Sequence, residues 1–273
     1  MIRGLYTGAM GMMAQEIAQD VTANNLANVD TPGYKRDITV FKSFPQILMH
    51  RMNDNVVVTK KGTIDYRPPV GWCGTGVEVN EVFTEHRKGP IKKTENTFDF
   101  AIYGEGFFCV QGIDGKERYT RNGSFTINRD GFLVTHEGEL VLGEKGPIQV
   151  SKRDFVVWKD GTIAENPENE PKGWKNAVEA AKFRIVDFKD SRFLDKVGYN
   201  RFETTPESGE AFGITEGFEI KQGHLEMSNV NIVEEMVRMI DIMRAYEANQ
   251  KVIHSHDEIL GRAVNDVPRV GGA

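Results

Sequence analysis

From Ile232 to Leu260 the chain carries Met236, Met239, Met243, Tyr246, Gln250, Ile253 and Asp257 at alternating steps of four and three. Steps of four and three are the signature of a heptad seam, so this stretch predicts a long coiled-coil-like helix. No glycine or proline interrupts it between Gly223 and Gly261. Ser228 and Asn229 offer N-cap residues before the seam, and Gly261 with Pro268 suggests where the helix weakens or stops. Ile240 lies on the same side as the seam and joins its apolar face.

The opposite end of the chain follows a rougher version of that period. Ile2, Leu5, Ala9, Met12 or Met13, Ile17, Val21 and Asn24 fall at helical spacing. Gly4, Gly8 and Gly11 each lower helix propensity by up to ~1 kcal/mol relative to alanine. Glycine is sensible there only if another backbone must come close; otherwise the first turns should fray.

Between these ends the period falls to two. Phe98, Phe100 and Ile102 alternate with polar or small residues, as do Phe125 with Ile127, Phe132 with Val134, and Leu140 with Leu142. Asp114-Gly115, Asn122-Gly123, Asp130-Gly131, Glu137-Gly138 and Asp160-Gly161 punctuate the run, and such pairs suit tight hairpins that need positive φ. The expected class is therefore α+β, with discontinuous paired terminal helices and a central antiparallel all-β domain. The expected boundaries are 1–40 and 226–267 for the helices, 41–75 for a connector, 76–225 for the β-rich domain and 268–273 for a tail. Residues 165–176 read as a polar, proline-containing surface excursion. Two helices about 200 residues apart, each with one apolar stripe, must bury those stripes on each other or on neighbouring copies.

Composition narrows the function. A net charge of −6 over 273 residues lacks the basic footprint of a nucleic-acid binder. No apolar run approaches the ~20 residues of a membrane-spanning helix. Residues 1–14 hold three glycines, and the helical pattern runs on past them, so no cleaved secretory leader is expected. Cys73 and Cys109 are too few for a disulfide framework and read as small, half-buried hydrophobes.

Catalytic and ligand motifs fail one by one. Gly104-x-Gly106 lacks the third glycine of a dinucleotide loop and is flanked by strand-like sequence. His254 and His256 point in different directions on a helix and read as solvated surface residues. The carboxylates of "NRDGFLVTHEGE" do not have calcium-loop spacing. No catalytic residue, cofactor site or metal site is therefore expected. An enzyme or adhesin built on the β domain is the competing class.

"ANNLANVDTPGYKR", residues 23–36, is the least ordinary stretch. Thr31-Pro32-Gly33-Tyr34 suits a type II turn, with Pro32 at the second position and positive φ at Gly33. Asn24 and Asn25, inside the helical stretch, can offer a donor and an acceptor to neighbouring helices. Asn28 can do the same or simply end the helix.

Taken together these stretches resemble the axial rod and hook proteins of the bacterial flagellum. "GLYTGAMGMMAQ…DVTANNLANVDTPGYKRD" is similar to that family's N-terminal signature. "GTGVEV" at 74–79 and "YTRNGSFTINRDGFLVT" at 119–135 resemble its β-domain blocks. "QGHLEMSNVNIVEEMVRMIDIMRAYEANQKVI" at 222–253 resembles its C-terminal signature. Residues 37–54 look more like the proximal-rod branch than the distal-rod branch. The resemblance implies an inner tube made by paired terminal helices, a β domain outside it, and helical self-association with other rod and hook proteins. It implies export by the flagellar secretion apparatus without a cleaved signal, and residence in the periplasmic basal body. The subunit interface is then expected on Leu5, Ala9, Met12, Ile17, Val21, Asn24, Asn25, Asn28, Ile232, Met236, Met239, Ile240, Met243, Tyr246, Ile253 and Leu260.

Overall fold

The computed structural model describes residues 3–52, 56–59, 62–65, 67–150, 155–165, 178–198 and 200–266, with backbone alone over 56–59 and 62–65 and at 178 and 266. The expected tail at 268–273 and nearly all of the 165–176 excursion lie outside the described residues. Helix α1 spans Arg3–Ala27 and helix α2 spans Ile232–Asp266, and an antiparallel β region lies between them in sequence. The class is α+β. The chain divides into two compact units: residues 1–24, 38–82 and 233–273 form the first, and residues 25–37 and 83–232 the second.

In the first unit, the stripe of α1 that faces inward is the small-residue one. Gly8, Gly11, Ala14, Ala18 and Thr22 are buried, whereas Leu5, Ala9, Met12 and Val21 are half-buried and Ile17 is exposed. A Cβ at Gly4, Gly8 or Gly11 would meet His256, Ile253 or Asn249 of α2. Glycine thus lets α2 side chains sit directly on the α1 backbone, and packing there offsets the helix propensity lost. His256 is accordingly half-buried over Gly4 rather than solvated, while His254 is exposed.

The covered stripe of α2 includes Glu235, Met239, Ile242, Tyr246, Asn249, Ile253, His256 and Leu260, again at steps of four and three. It shares Met239, Tyr246, Ile253 and Leu260 with the seam read from sequence. It departs from that seam by one residue at the alternate positions. Polar Glu235, Asn249 and His256 occupy inward places, and Met236 and Met243 are left outside. Helix α2 also continues through Gly261 to Asp266. Its start is Ile232: Ser228 Oγ accepts from Val230 N–H, and Asn229 is committed elsewhere in the second unit.

The first unit also holds the pairing of Ile47–His50 with Pro69–Cys73 and, up to Val82, most of the pairing of Asp37–Ser43 with Val77–Thr84. Thr7 Oγ1 of α1 donates to Thr75 O at 3.1 Å, tying the "GTG" stretch to the helix.

The second unit is organised by the strand Phe107–Gln111, which pairs with Glu117–Thr120, Leu140–Gly143 and Ile185–Asp187. Phe108 and Val110 enter one apolar cluster with Phe100, Phe125, Leu133 and Ile163. Phe107 and Cys109 enter another with Tyr119, Phe188 and Phe202. Both faces are covered, so this strand is apolar from Phe107 through Val110. Cys109 is fully buried rather than half-buried, and burial pushes its thiol up to about 12, leaving it a hydrophobe.

Gly115, Gly131, Gly138 and Gly161 have the positive φ that their turns require. Asn122-Gly123 is different. Gly123 lies under the Phe100 carbonyl, where a Cβ would clash, and its own carbonyl accepts from Phe100 N–H at 2.9 Å. Close strand approach, not a hairpin, selects that glycine.

The glycine row yields a graded test. Gly8→Ala is expected to be nearly neutral, because the Cβ sits 3.1 Å from flexible Ile253 Cγ1 while helix propensity improves by up to ~1 kcal/mol. Gly8→Leu should destabilise the helical unit by about 1–3 kcal/mol through overpacking. Thermal unfolding followed by far-ultraviolet circular dichroism reads both; equal melting of the two variants would remove the close-approach explanation.

Candidate functional site

Two features of the chain are candidates for function: the segment 25–37 leaving α1, and the apolar surface of the helices.

Asn25 is completely buried in the second unit. Its Nδ2 donates to Asp37 O at 2.8 Å, and its Oδ1 accepts from Asp37 N–H at 2.9 Å and from Tyr34 Oη at 3.0 Å. One carboxamide therefore pins both ends of the loop that follows the helix, which needs a donor and an acceptor on one short side chain. Asn25, read from sequence as an interface group, is occupied inside its own chain. Asn28 sits in the turn: it takes a bond from Thr31 Oγ1 at 3.2 Å, and its carbonyl accepts from Thr31 N–H. Asn24 is exposed.

At Gly33 φ is +70°, and Tyr34 N–H donates to Thr31 O at 3.3 Å, the hydrogen bond of a type II turn. The turn lies against the β strands. Gly33 N–H donates to Glu226 O at 2.8 Å, and a Cβ on Gly33 would strike the backbone of Arg121 and Asn122. Asn200 Nδ2 bonds Pro32 O at 3.1 Å. Glycine is required twice here, by φ and by space.

The next three residues carry charge into the second unit. Lys35 Nζ lies 2.5 Å from Glu226 Oε1, both side chains almost wholly buried, and also donates to Arg87 O. Glu226 further accepts from Gly89 N–H at 3.0 Å and faces Arg121 at 3.5 Å. Arg36 grips Glu85 Oε2 through Nε and Nη2, and its backbone N–H donates to Asn229 Oδ1. Asp37 accepts from Thr84 Oγ1 at 2.7 Å and Lys196 Nζ at 2.9 Å, and that ammonium stands 4.0 Å from the Tyr34 ring centre. Burial lowers the Lys35 pKa most strongly, and Glu226 opposes it. Burial likewise lowers those of Lys196 and Arg121, against Asp37 and Glu226 respectively.

His86 stands beside this network. Its ring meets Phe202 and Phe107 edge-on at 5.0 and 5.7 Å, and neither buried ring nitrogen has a hydrogen bond of ordinary geometry. Burial, followed by the charges of Lys35, Arg121 and Lys196, pushes its pKa down to about 4; the Ser191 backbone acts weakly in the other direction. His86 is therefore neutral at pH 7.

Sequence reasoning missed Lys35, Arg36, Asp37, His86, Arg121, Lys196 and Glu226. "YKRD" directly after a glycine turn was the available signal, but the partners lie roughly 50 to 190 residues away in sequence.

On the helices, Ile232, Met236, Ile240 and Met243 of α2 are about half exposed, and Val233 and Val237 are exposed beside them. Met239, Tyr246, Ile253 and Leu260 are half-buried. Most large apolar side chains exposed among the described residues lie in the first unit.

Comparison with known proteins gives this arrangement a context. Residues 5–35 match the family described as flagella basal body rod protein. Residues 101–165 match the flagellar hook protein FlgE/F/G D1 domain, and residues 221–266 the C-terminal region of flagellar basal body rod FlgEFG proteins. The flagellar basal-body rod protein FlgG of Buchnera aphidicola subsp. Schizaphis graminum is 34% identical over 265 residues, covering 95% of this chain and 98% of that protein. The chain belongs to the flagellar basal-body rod family. FlgG of Bacillus subtilis is 32% identical over 279 residues, covering 97% of this chain and 99% of that protein. The flagellar basal-body rod protein FlgF of Caulobacter vibrioides is 33% identical over 278 residues, covering 99% and 100%. Overall identity does not separate the FlgF branch, favoured by residues 37–54, from the FlgG branch. The chain is a structural subunit of the flagellar basal-body rod. No helix among the described residues is long and apolar enough to cross a membrane.

Two outcomes follow for the second unit. Removing one partner of the buried pair, as in Lys35→Met, should cost about 3–5 kcal/mol in urea denaturation. Lys35→Met with Glu226→Leu should recover part of that loss, and strict additivity would show that the pair does not couple. For His86, the unfolded ring takes up a proton below its ordinary 6.5, while the folded ring refuses it until about 4. Stability should therefore fall as pH drops through that window, by roughly 3 kcal/mol in total. His86→Phe should flatten that slope; urea midpoints between pH 7 and 4 measure it.

Proposed function

We propose that the chain polymerises helically through its terminal helices, α1 and α2 pairing in a coiled-coil-like inner element and the β unit standing outside it. On this reading residues 1–40 and 226–267 build the wall of a hollow shaft, 41–75 connect, 76–225 form the outer domain, and 268–273 are a tail. The observation that carries it is the displaced stripe of α2. The row Met239, Tyr246, Ile253 and Leu260 belongs to both the in-chain face and the heptad seam, while Ile232, Met236, Ile240 and Met243 form an apolar margin beside it. A margin of that size has no value to an isolated chain in water, and each large side chain would gain about 1.5–3 kcal/mol on full burial. Leu5, Ala9, Met12, Ile17, Val21 and Asn24 supply the corresponding surface of α1, with Asn28 at its end.

The partners are copies of this chain and other rod and hook proteins. Export proceeds through the flagellar secretion apparatus without a cleaved signal. The chain acts mechanically, without catalysis, a cofactor or nucleic acid. Helices whose apolar margins find partners only in the shaft suit passage through a narrow channel in an unfolded state.

Met243→Asp tests the reading, because it would place a charge in a seam that dries on assembly. The variant should fail to form filaments or stacked rings in electron micrographs of concentrated protein and should not restore swimming to a deletion strain. Thermal unfolding of its β unit should be unchanged. Normal assembly by the variant, or normal swimming by the deletion strain, would overturn the proposal.

A further inference from the structure

The second unit contains a cavity of about 540 Å³ that assembly through the helices leaves unexplained. One lip is the run His86-Arg87-Lys88, and the other is the loop Asp187–Arg192. Phe107 and Phe188 line it, and Arg121 Cζ stands 5.2 Å from the Phe107 ring centre. Three acids share the lining. Asp190 holds Arg192 at 3.1 Å, and Asp187 and Glu105 lie in the field of Arg121. Arg87, Lys88 and Lys189 are exposed and have no ion pair among the described residues. Five Lys and Arg side chains thus outnumber the three acids of the lining, and cations without an ion pair stand on both lips beside Phe107 and Phe188. A low-dielectric floor strengthens the attraction of the lips for a negative group between them.

We propose that this cavity is a docking site for an acidic, extended peptide segment of a partner polypeptide. Carboxylates bridge the two lips through charge-assisted hydrogen bonds, and the intervening chain lies on Phe107 and Phe188. The volume favours several residues of peptide over a single small anion, and the aromatic floor favours a chain with apolar as well as charged surface. This assignment holds whether or not the helices polymerise, since every residue in it belongs to the second unit.

The test uses full-length protein and a fluorescently labelled hexaglutamate peptide, with binding read by anisotropy. Binding should weaken at least tenfold in Lys88→Glu/Lys189→Glu, and should not change in Lys116→Glu/Lys145→Glu, which alters exposed lysines outside the cavity. Thermal melts of all variants should match the parent, because the substituted side chains are exposed. Labelled hexalysine should not bind. Equal weakening in both double variants would reduce the effect to overall charge and overturn the proposal. Displacement of the peptide by an equimolar amount of inorganic phosphate would make this a small-anion site and overturn it too. Absence of hexaglutamate binding at millimolar concentration would do the same.

Discussion

A chain leaving a helix and entering a β unit must turn without stranding its polar backbone, and here one buried carboxamide governs that turn. Asn25 bonds both the N–H and the carbonyl of Asp37 and accepts from Tyr34, so twelve residues of chain are closed on a single side chain. Glutamine would offer the same groups on a longer, freer stem, and aspartate would lack the donor. With the loop closed, Gly33 is pressed against the Arg121–Asn122 backbone, and Lys35, Arg36 and Asp37 are delivered to three separate counter-charges.

That delivery brings charge into places with little water. A buried lysine is tolerated only where a carboxylate is held ready, and Glu226 is held by Gly89 N–H and Arg121 as well as by Lys35. The arrangement is specific rather than cheaply stabilising, since an apolar pair of the same volume could match its energy. What the ion pairs provide is a fixed register between the helix exit and the β strands. His86 fits this logic by remaining neutral among three cations.

The helices obey a different constraint. Small residues on α1 let α2 side chains such as Ile253 reach its backbone, while Met13 and Ile17 of α1 and Met236, Ile240 and Met243 of α2 lie on other faces. Glycines lie inside this pairing, while Met236 and Met243 stand outside it, the surface to which the proposed assembly assigns partners. Methionine suits that surface because its flexible thioether adapts to several neighbours.

Much of this was legible in the chain itself. Periods of 3.5 and 2 mark the two helices and the β region between them, and Pro32-Gly33 marks the type II turn, because these signals arise within one or two turns of local backbone. The family resemblance rested on contiguous motifs of the same kind. Tertiary structure alone decided which stripe of α2 turns inward, since shifting by one residue trades Met236 for Glu235 and Met243 for Ile242 without changing the spacing. It also decided the role of Asn25, whose helical position gave no hint that its partners were Tyr34 and Asp37. The same holds for the glycine in Asn122-Gly123, selected by the Phe100 carbonyl rather than by a hairpin. The pairing of Lys35 with Glu226 joins residues 191 apart, and no local pattern encodes a contact that only the folded strands bring together.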